Sequence, residues 1–375
     1  MRKLVIHAGS HKTGSTSIQM SLKRSCSELA KKNITLFQID PDGSKNSHGH
    51  SNHWVQHYGK GKRFDAKVNG RLRNELTQLS DGVVVFSAEH LFWLNSKRNI
   101  KSFHQMVSDQ FDDVKVIFYL RRQDQLLLSH YQQASKHYLW CEQLYYGAEP
   151  RAFPEGEFPE YLDYFSKLRK WAEVFGKESV EIRIFEKNKL YRGDVVSDFC
   201  FYLDEGLRVE PLRVNESRGK HQVIAGHILN SIGVSHLDER RVRLLKSIDS
   251  NEKLLPSRAE ARALYFKYRW SNQCLNEMFK VSSNPNVFSE DFSMYPLRVD
   301  TDFSDTLLAV SQGKCAQESL SEEVISALRH MDARVKLRRP RIASRISQAV
   351  GELGRTMRRL VGKGAACVKD LRGRP

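Results

Sequence analysis

The sequence predicts an α/β fold in which a central parallel sheet is covered on both faces by helices. Three observations carry that expectation. Short apolar runs, of the kind buried in parallel sheets, recur at residues 4–8, 83–86 and 114–120, and a further strand pattern lies at 180–185. Helix-length patterns separate them, and a glycine-containing turn joins the first run to the first helical pattern.

Taken in order, Leu4-Val5-Ile6-His7-Ala8 reads as a strand, residues 9–14 as a turn-rich loop, and Ile18, Leu22 and Leu29 fall at helical intervals over 18–29. A second strand is expected at 34–39, then a loop rich in Ser, His, Asn and Gly to about Asn52. A helix is expected over 64–79, leading into strand 83–86. An amphipathic stretch near 100–111 precedes strand 114–120, which stops at Arg121-Arg122 and opens a further helix. Strand 180–185 is flanked by helices at 161–175 and 195–203. Right-handed crossovers between such strands give a three-layer α/β core over residues 1–205. Beyond it the pattern is mainly helical, at 223–232, 237–248 and 258–279, and these helices are expected to pack on the same sheet. The expected domain therefore runs over 1–333, with a basic tail, amphipathic or disordered, over 334–375.

Composition agrees with a large packed core. The chain has 375 residues, 40% of them hydrophobic and 28% charged, which excludes collagenous, disordered and small disulfide-scaffold classes. Its six cysteines are scattered with no C-x-x-C pair, so reduced structural thiols are expected. Eleven of the sixteen excess positive charges lie in the tail, where thirteen Lys and Arg face only Glu352 and Asp370. The basic balance therefore says little about the main domain's ligand. There is no run of the ~18 apolar residues that a membrane span needs, and no secretory leader. A cytoplasmic protein is expected, peripheral at the inner membrane face if the tail binds there.

The loop His7-Ala8-Gly9-Ser10-His11-Lys12-Thr13-Gly14-Ser15-Thr16-Ser17 follows a strand and opens a helix. There, free backbone N–H groups and the positive helix end favour an anion. Gly14 allows close approach to a phosphate, and Thr13, Ser15, Thr16 and Ser17 add hydroxyls. The ATPase pattern places its Lys after the second Gly, whereas Lys12 precedes Gly14, and no motif-level magnesium site accompanies it. The plainer alternative is an unliganded polar turn.

A second feature changes the weight of the first. Strand 114–120 ends in Arg121, and Ser129 follows eight residues later, two helical turns along. Arg121 leaves the strand end where open α/β sheets place ligands, and a guanidinium holds phosphate bidentately. A solvated basic strand end is the bland role, and Arg122 is the weaker candidate of the pair.

Together these motifs resemble those of the sulfotransferases that use 3′-phosphoadenosine 5′-phosphosulfate, a family with a P-loop-type, NTPase-like α/β fold. The resemblance covers residues 3–220 and is closest to bacterial carbohydrate-type members. It implies that the Lys12 loop binds the 5′-phosphosulfate and that Arg121 and Ser129 grip the 3′-phosphate, and Asn215 to Lys220, with Arg218 and Gly219, resembles loosely the later loop that closes over the nucleotide. It implies this nucleotide as co-substrate, with no metal. Sulfuryl transfer also needs a base for the acceptor hydroxyl. Strand 83–86 delivers Ser87-Ala88-Glu89-His90-Leu91 to the right place. Ser-x-Glu resembles the carbohydrate-type members and favours Glu89, whereas the Thr-His-Leu of cytosolic members would align with His90. A charge at a helix start is the structural alternative for Glu89.

His48, His50, His53 and His57 match no helix-borne zinc spacing, so no metal is expected; either His53 approaches the acceptor or the segment is a plain polar loop. Downstream, Tyr138 and Trp140 open an aromatic stretch broken by Gly147, Pro150, Pro154 and Gly156, suited to sugar rings or to local packing. The expected acceptor is a carbohydrate or glycolipid. The tail is expected to meet an anionic membrane or a polyanion, and specific nucleic-acid binding is not expected. Two rivals remain at this stage: a nucleotide or small-molecule kinase, and a non-enzymatic polyanion binder.

Overall fold

A computed structural model describes residues 1–46, 49–59, 63–79, 81–136, 159–212, 218–248, 252–299 and 303–331. Five parallel strands form the main sheet: β1 (Arg2–His7), β2 (Ile34–Leu36), β5 (Gly82–Ser87), β6 (Asp113–Leu120) and β7 (Val180–Ile184), in the order β2-β5-β1-β6-β7. The α/β class read from the sequence is the observed one.

Strand alternation explains the layers. Val5, Val85, Ile117 and Tyr119 point to one face, where they meet Ile18 and Leu22 of α1 (Ser15–Arg24), Leu29 of α2 (Cys26–Lys31) and Phe199 of α8 (Val195–Leu203). On the other face Phe86 packs on Phe103 of α4 (Lys97–Ser108), and Phe118 on Trp171 of α7 (Tyr164–Phe175), at ring separations of 6.2 and 5.2 Å. α6 (Pro159–Leu162) and α7 divide one expected helix at Asp163, whose carboxylate accepts the Ser166 N–H at 3.1 Å and so starts α7 afresh.

One expectation is corrected. Residues 64–79 do not form a helix throughout: Asp65–Val68 is strand β4, paired antiparallel with β3 (Val55–Tyr58), and only Leu72–Thr77 is helical, as α3. The Asp65 carboxylate is the cause, because it accepts from the Asn95 N–H, the Asn99 amide and the Tyr58 hydroxyl at 2.8, 2.8 and 2.9 Å. These long-range bonds hold the segment extended against its local pattern.

α5 (Gln123–Ala134) follows β6, and α9 (Lys220–Ser231), α10 (Glu239–Ser247) and α11 (Arg258–Phe279) belong to the same compact unit, Met1–Val299. α11 opens on a Ser257/Glu260 capping box and packs against α5 and α7. The second unit, Asp300–Pro375, is described in α12 (Ser304–Gln312) and the helical residues 319–331, where Leu320, Val324 and Leu328 line one buried face. The basic tail, from Arg334 on, lies outside the described residues. Among those described, no helix is long and apolar enough to cross a membrane, and Cys26, Cys200, Cys274 and Cys315 are free thiols.

Candidate active site

β5 and β6 flank β1, so the C-terminal ends of the three strands lie side by side. They deliver Glu89, Arg121 and the glycine loop to one end of the sheet, the end at which open α/β sheets hold ligands.

The loop is braced from within. The Ala8 and Ser10 N–H groups donate to the Ile117 and Tyr119 carbonyls at 3.0 and 2.8 Å, carrying the chain along β6 before it turns. The Thr13 hydroxyl donates to the Ser10 carbonyl at 2.6 Å, and the Ser15 hydroxyl lies 3.5 Å from the same oxygen. Both protons therefore serve the loop, while Thr16 is exposed and Ser17 half-buried. Gly14 precedes α1 at φ 82°, and no side chain caps that helix nor does any acid enter its first turn. Its N-terminal N–H groups and positive dipole end suit an anion. A Cβ at Gly14 would come within 2.7 Å of Val195 Cγ1, so both the close approach and the positive φ require glycine. At Gly9 a Cβ would meet Glu89 Cα and Cβ at 3.3 Å, so the loop starts directly against the Glu89 backbone.

The two basic anchors meet at this loop. Arg121 Nη1 donates to the Lys12 carbonyl at 3.1 Å, and its Nε to Gln125 Oε1 at 3.5 Å. The Lys12 ammonium lies 3.4 Å from Gln133 Oε1. Burial, then the like charges of Lys136 and Arg121, pull the Lys12 ammonium down to about 8 against the opposing attraction of Glu89. Gln125, Ser129 and Gln133 follow Arg121 at four-residue intervals, each half-buried, so one side of α5 runs from Arg121 past Ser129 to the Lys12 contact.

Arg218 reaches the far end of α5, where Nη1 donates to the Ser135 carbonyl at 3.2 Å. Burial and the charge of Arg218 both lower the neighbouring Lys136. Gly219 caps α9, its N–H donating to Gln222 Oε1 at 3.2 Å. Lys136 escaped the sequence reading, although at ~100° per residue it lies only about 60° from Arg121 around the axis of α5. Arg122 turns away. It pairs with buried Asp124 at 2.8 Å and donates to the Ser289 and Asp291 carbonyls at 2.6 Å, tying that segment to the start of α5.

Glu89 and His90 open the 3-10 turn Glu89–Trp93 and face different surroundings. Glu89 Oε2 accepts from Gln19 Nε2 at 2.6 Å, and the same nitrogen lies 3.1 Å from Ser87 Oγ. Burial raises the Glu89 carboxyl, but the charge of His90 and the amides of Gln19 and Asn52 outweigh it and hold the group below the usual carboxylate range. His90 instead packs its ring 4.6 Å from His57 and 5.9 Å from His11. That wall continues through Trp93, stacked on Tyr161 at 4.3 Å. His53, expected near the acceptor, is half-exposed with Nδ1 3.0 Å from Asp40 Oδ1; the turn reaches the site through its neighbour Asn52, whose Oδ1 accepts the His90 N–H at 3.2 Å. Tyr138, Trp140, His48 and residues 213–217 lie outside the described residues. Among the described residues no group of three or more His, Cys, Asp and Glu is arranged to hold a metal ion.

The buried histidines make the fold acid-sensitive. Burial lowers His7 and His57 to about 4, and His11 and His90 below the ordinary 6.5. Between those values the unfolded chain binds more protons than the folded one, so stability falls as pH drops from 6.5 towards 4. For fully buried His7 alone the loss at pH 5 relative to pH 8 is roughly 2 kcal/mol. Urea midpoints across this window should fall accordingly; a flat profile would mean that the ring wall is charged or solvated.

No protein-family profile matches the chain. An uncharacterized protein of Archaeoglobus fulgidus is 34% identical over 86 residues, and the match covers 23% of this chain and only 21% of that protein. A sulfotransferase from Alicyclobacillus acidocaldarius, solved by crystallography, superposes with a TM-score of 0.36 at 14% identity, covering 75% of this chain and 96% of that one.

Proposed function

We propose that the protein is a sulfotransferase that moves the sulfuryl group of 3′-phosphoadenosine 5′-phosphosulfate onto an acceptor hydroxyl. The observation that carries this reading is the 3.1 Å bond from Arg121 to the Lys12 carbonyl. That bond brings two basic anchors far apart in sequence next to one another, as a single adenosine nucleotide charged at both ends would require.

In this reading the loop N–H groups and the start of α1 hold the 5′-phosphosulfate, and Arg121 with Ser129 holds the 3′-phosphate. Arg218, Gly219 and Lys136 border the nucleotide. The acceptor oxygen attacks sulfur in line as the bond from sulfur to the bridging phosphate oxygen breaks. Glu89 takes the acceptor proton, and the electron pair departs on 3′-phosphoadenosine 5′-phosphate, whose growing charge Lys12 neutralises. Glu89 is preferred to His90 because it lies in the field of Lys12 and against the start of the loop at Gly9, whereas His90 is packed among the rings of His57 and His11. A carbohydrate or glycolipid acceptor rests on the resemblance of Ser87-Ala88-Glu89 to carbohydrate-type members, and the basic tail is proposed to meet an anionic membrane or glycan.

Calorimetry tests this directly. 3′-Phosphoadenosine 5′-phosphate should bind at least about tenfold more tightly than ATP with Mg²⁺. A bound phosphate favours the charged form of Lys12, so binding above pH 8 should take up a proton, read as a dependence of the heat on buffer ionisation enthalpy. Preference for ATP with Mg²⁺ would overturn the reading in favour of a kinase.

A further inference from the structure

The polar network around Glu89 extends beyond the groups that the reaction itself uses. Gln19 comes from α1 and donates to Glu89 Oε2 at 2.6 Å, and Asn52, from the 3-10 turn Asn52–Trp54, brings a second amide beside the same carboxylate. We infer that these two carboxamides form a clamp that aims the Glu89 carboxylate at the acceptor, a role that rests on the sulfotransferase reading.

Hydrogen-bond logic fixes both amides. A carboxylate only accepts, so Gln19 must present its NH₂ group, one proton to Glu89 Oε2 at 2.6 Å and the other to Ser87 Oγ at 3.1 Å. The same Ser87 hydroxyl is hydrogen-bonded to His7 Nδ1 at 2.8 Å. His7 and Ser87 are register partners on β1 and β5, and both are fully buried, so the sheet itself sets the orientation of Gln19. Asn52 is locked from its other end. Its Oδ1 accepts the His90 N–H at 3.2 Å, which turns its NH₂ towards Glu89, and the Ser51 N–H donates to the Ser87 carbonyl at 2.7 Å, anchoring the turn.

The choice of amides has a chemical consequence. A carboxylate at this end of the sheet faces burial, with His7 on β1, Lys12 in the loop and His90 beside it as the charged or titratable groups around it. A further cation in direct contact would lower its proton affinity and weaken it as a base. A carboxamide offsets the burial by hydrogen bonding to the ionised form, yet neither titrates nor competes for the acceptor proton. Gln19 and Asn52 are thus positioning residues and Glu89 the catalytic one.

The test is Gln19→Met, which keeps length and volume but removes the donor. The Glu89 titration is read from the carboxyl infrared band as the difference from Glu89→Gln. Its midpoint should rise by about one unit in Gln19→Met, and the acid limb of the pH–rate profile should rise with it, while affinity for 3′-phosphoadenosine 5′-phosphate changes less than about twofold. Ser87→Ala, which leaves Gln19 present but frees its amide, should move the midpoint in the same direction by less. An unmoved midpoint in variants that still bind the nucleotide overturns the clamp alone. Failure of the wild-type protein to bind the nucleotide overturns the sulfotransferase reading, and the clamp's catalytic role with it.

Discussion

Arg121→Ala is expected to weaken binding of 3′-phosphoadenosine 5′-phosphate by roughly two to three orders of magnitude. The guanidinium leaves the end of β6 half-buried, bonded to the Lys12 carbonyl at 3.1 Å. In the proposed reading its removal takes away a charge-assisted, two-pronged phosphate contact and leaves the ligand's phosphate in a partly desolvated site. It also frees the Lys12 carbonyl, so a general loosening of the loop is the competing cause. Adenosine 5′-phosphate, which lacks the 3′-phosphate, separates the two. Its affinity should change less than about threefold, whereas equal losses for both nucleotides would show that Arg121 only braces the loop. Arg121→Lys should recover only part of the binding, because an ammonium lacks the planar fork.

Glu89→Gln is expected to lower sulfuryl transfer by ~10²- to 10⁴-fold, the usual contribution of a positioned base, with nucleotide affinity unchanged within about twofold. The substitution keeps shape and hydrogen-bonding length while removing the proton acceptor. Transfer from labelled donor to a panel of glycans measures it. A variant working at full speed would place the base at His90 or elsewhere. The wild-type acid limb should fall below the ordinary carboxylate value, since the charge of His90 and the two amides together outweigh burial.

Much of the scaffold was legible in the chain. The helices over Val195–Leu203 and Arg258–Phe279 begin and end where their apolar periodicity does, because each buries one regular stripe. Lys12, Arg121 and Ser129 were visible because each sits at a fixed offset from a strand end or helix turn. Residues 65–68 were misread because the bonds that hold them extended come from Asn95 and Asn99, some thirty residues away. Gln19, Asn52 and Lys136 went unnoticed for a related reason. A polar residue on a helix or turn carries no pattern of its own until the fold supplies its partner.

Local periodicity and the spacing of a few basic residues determined the class of fold, the strand ends that bear the site and the two anchors proposed for the nucleotide. Only the tertiary structure decided that the adjacent residues Glu89 and His90 meet different partners, the Gln19 amide for the first and the rings of His57 and His11 for the second. They leave one tight turn in different directions, and sequence adjacency does not choose between them. Packing does, by burying His90 against His57 and His11 and binding Glu89 to Gln19.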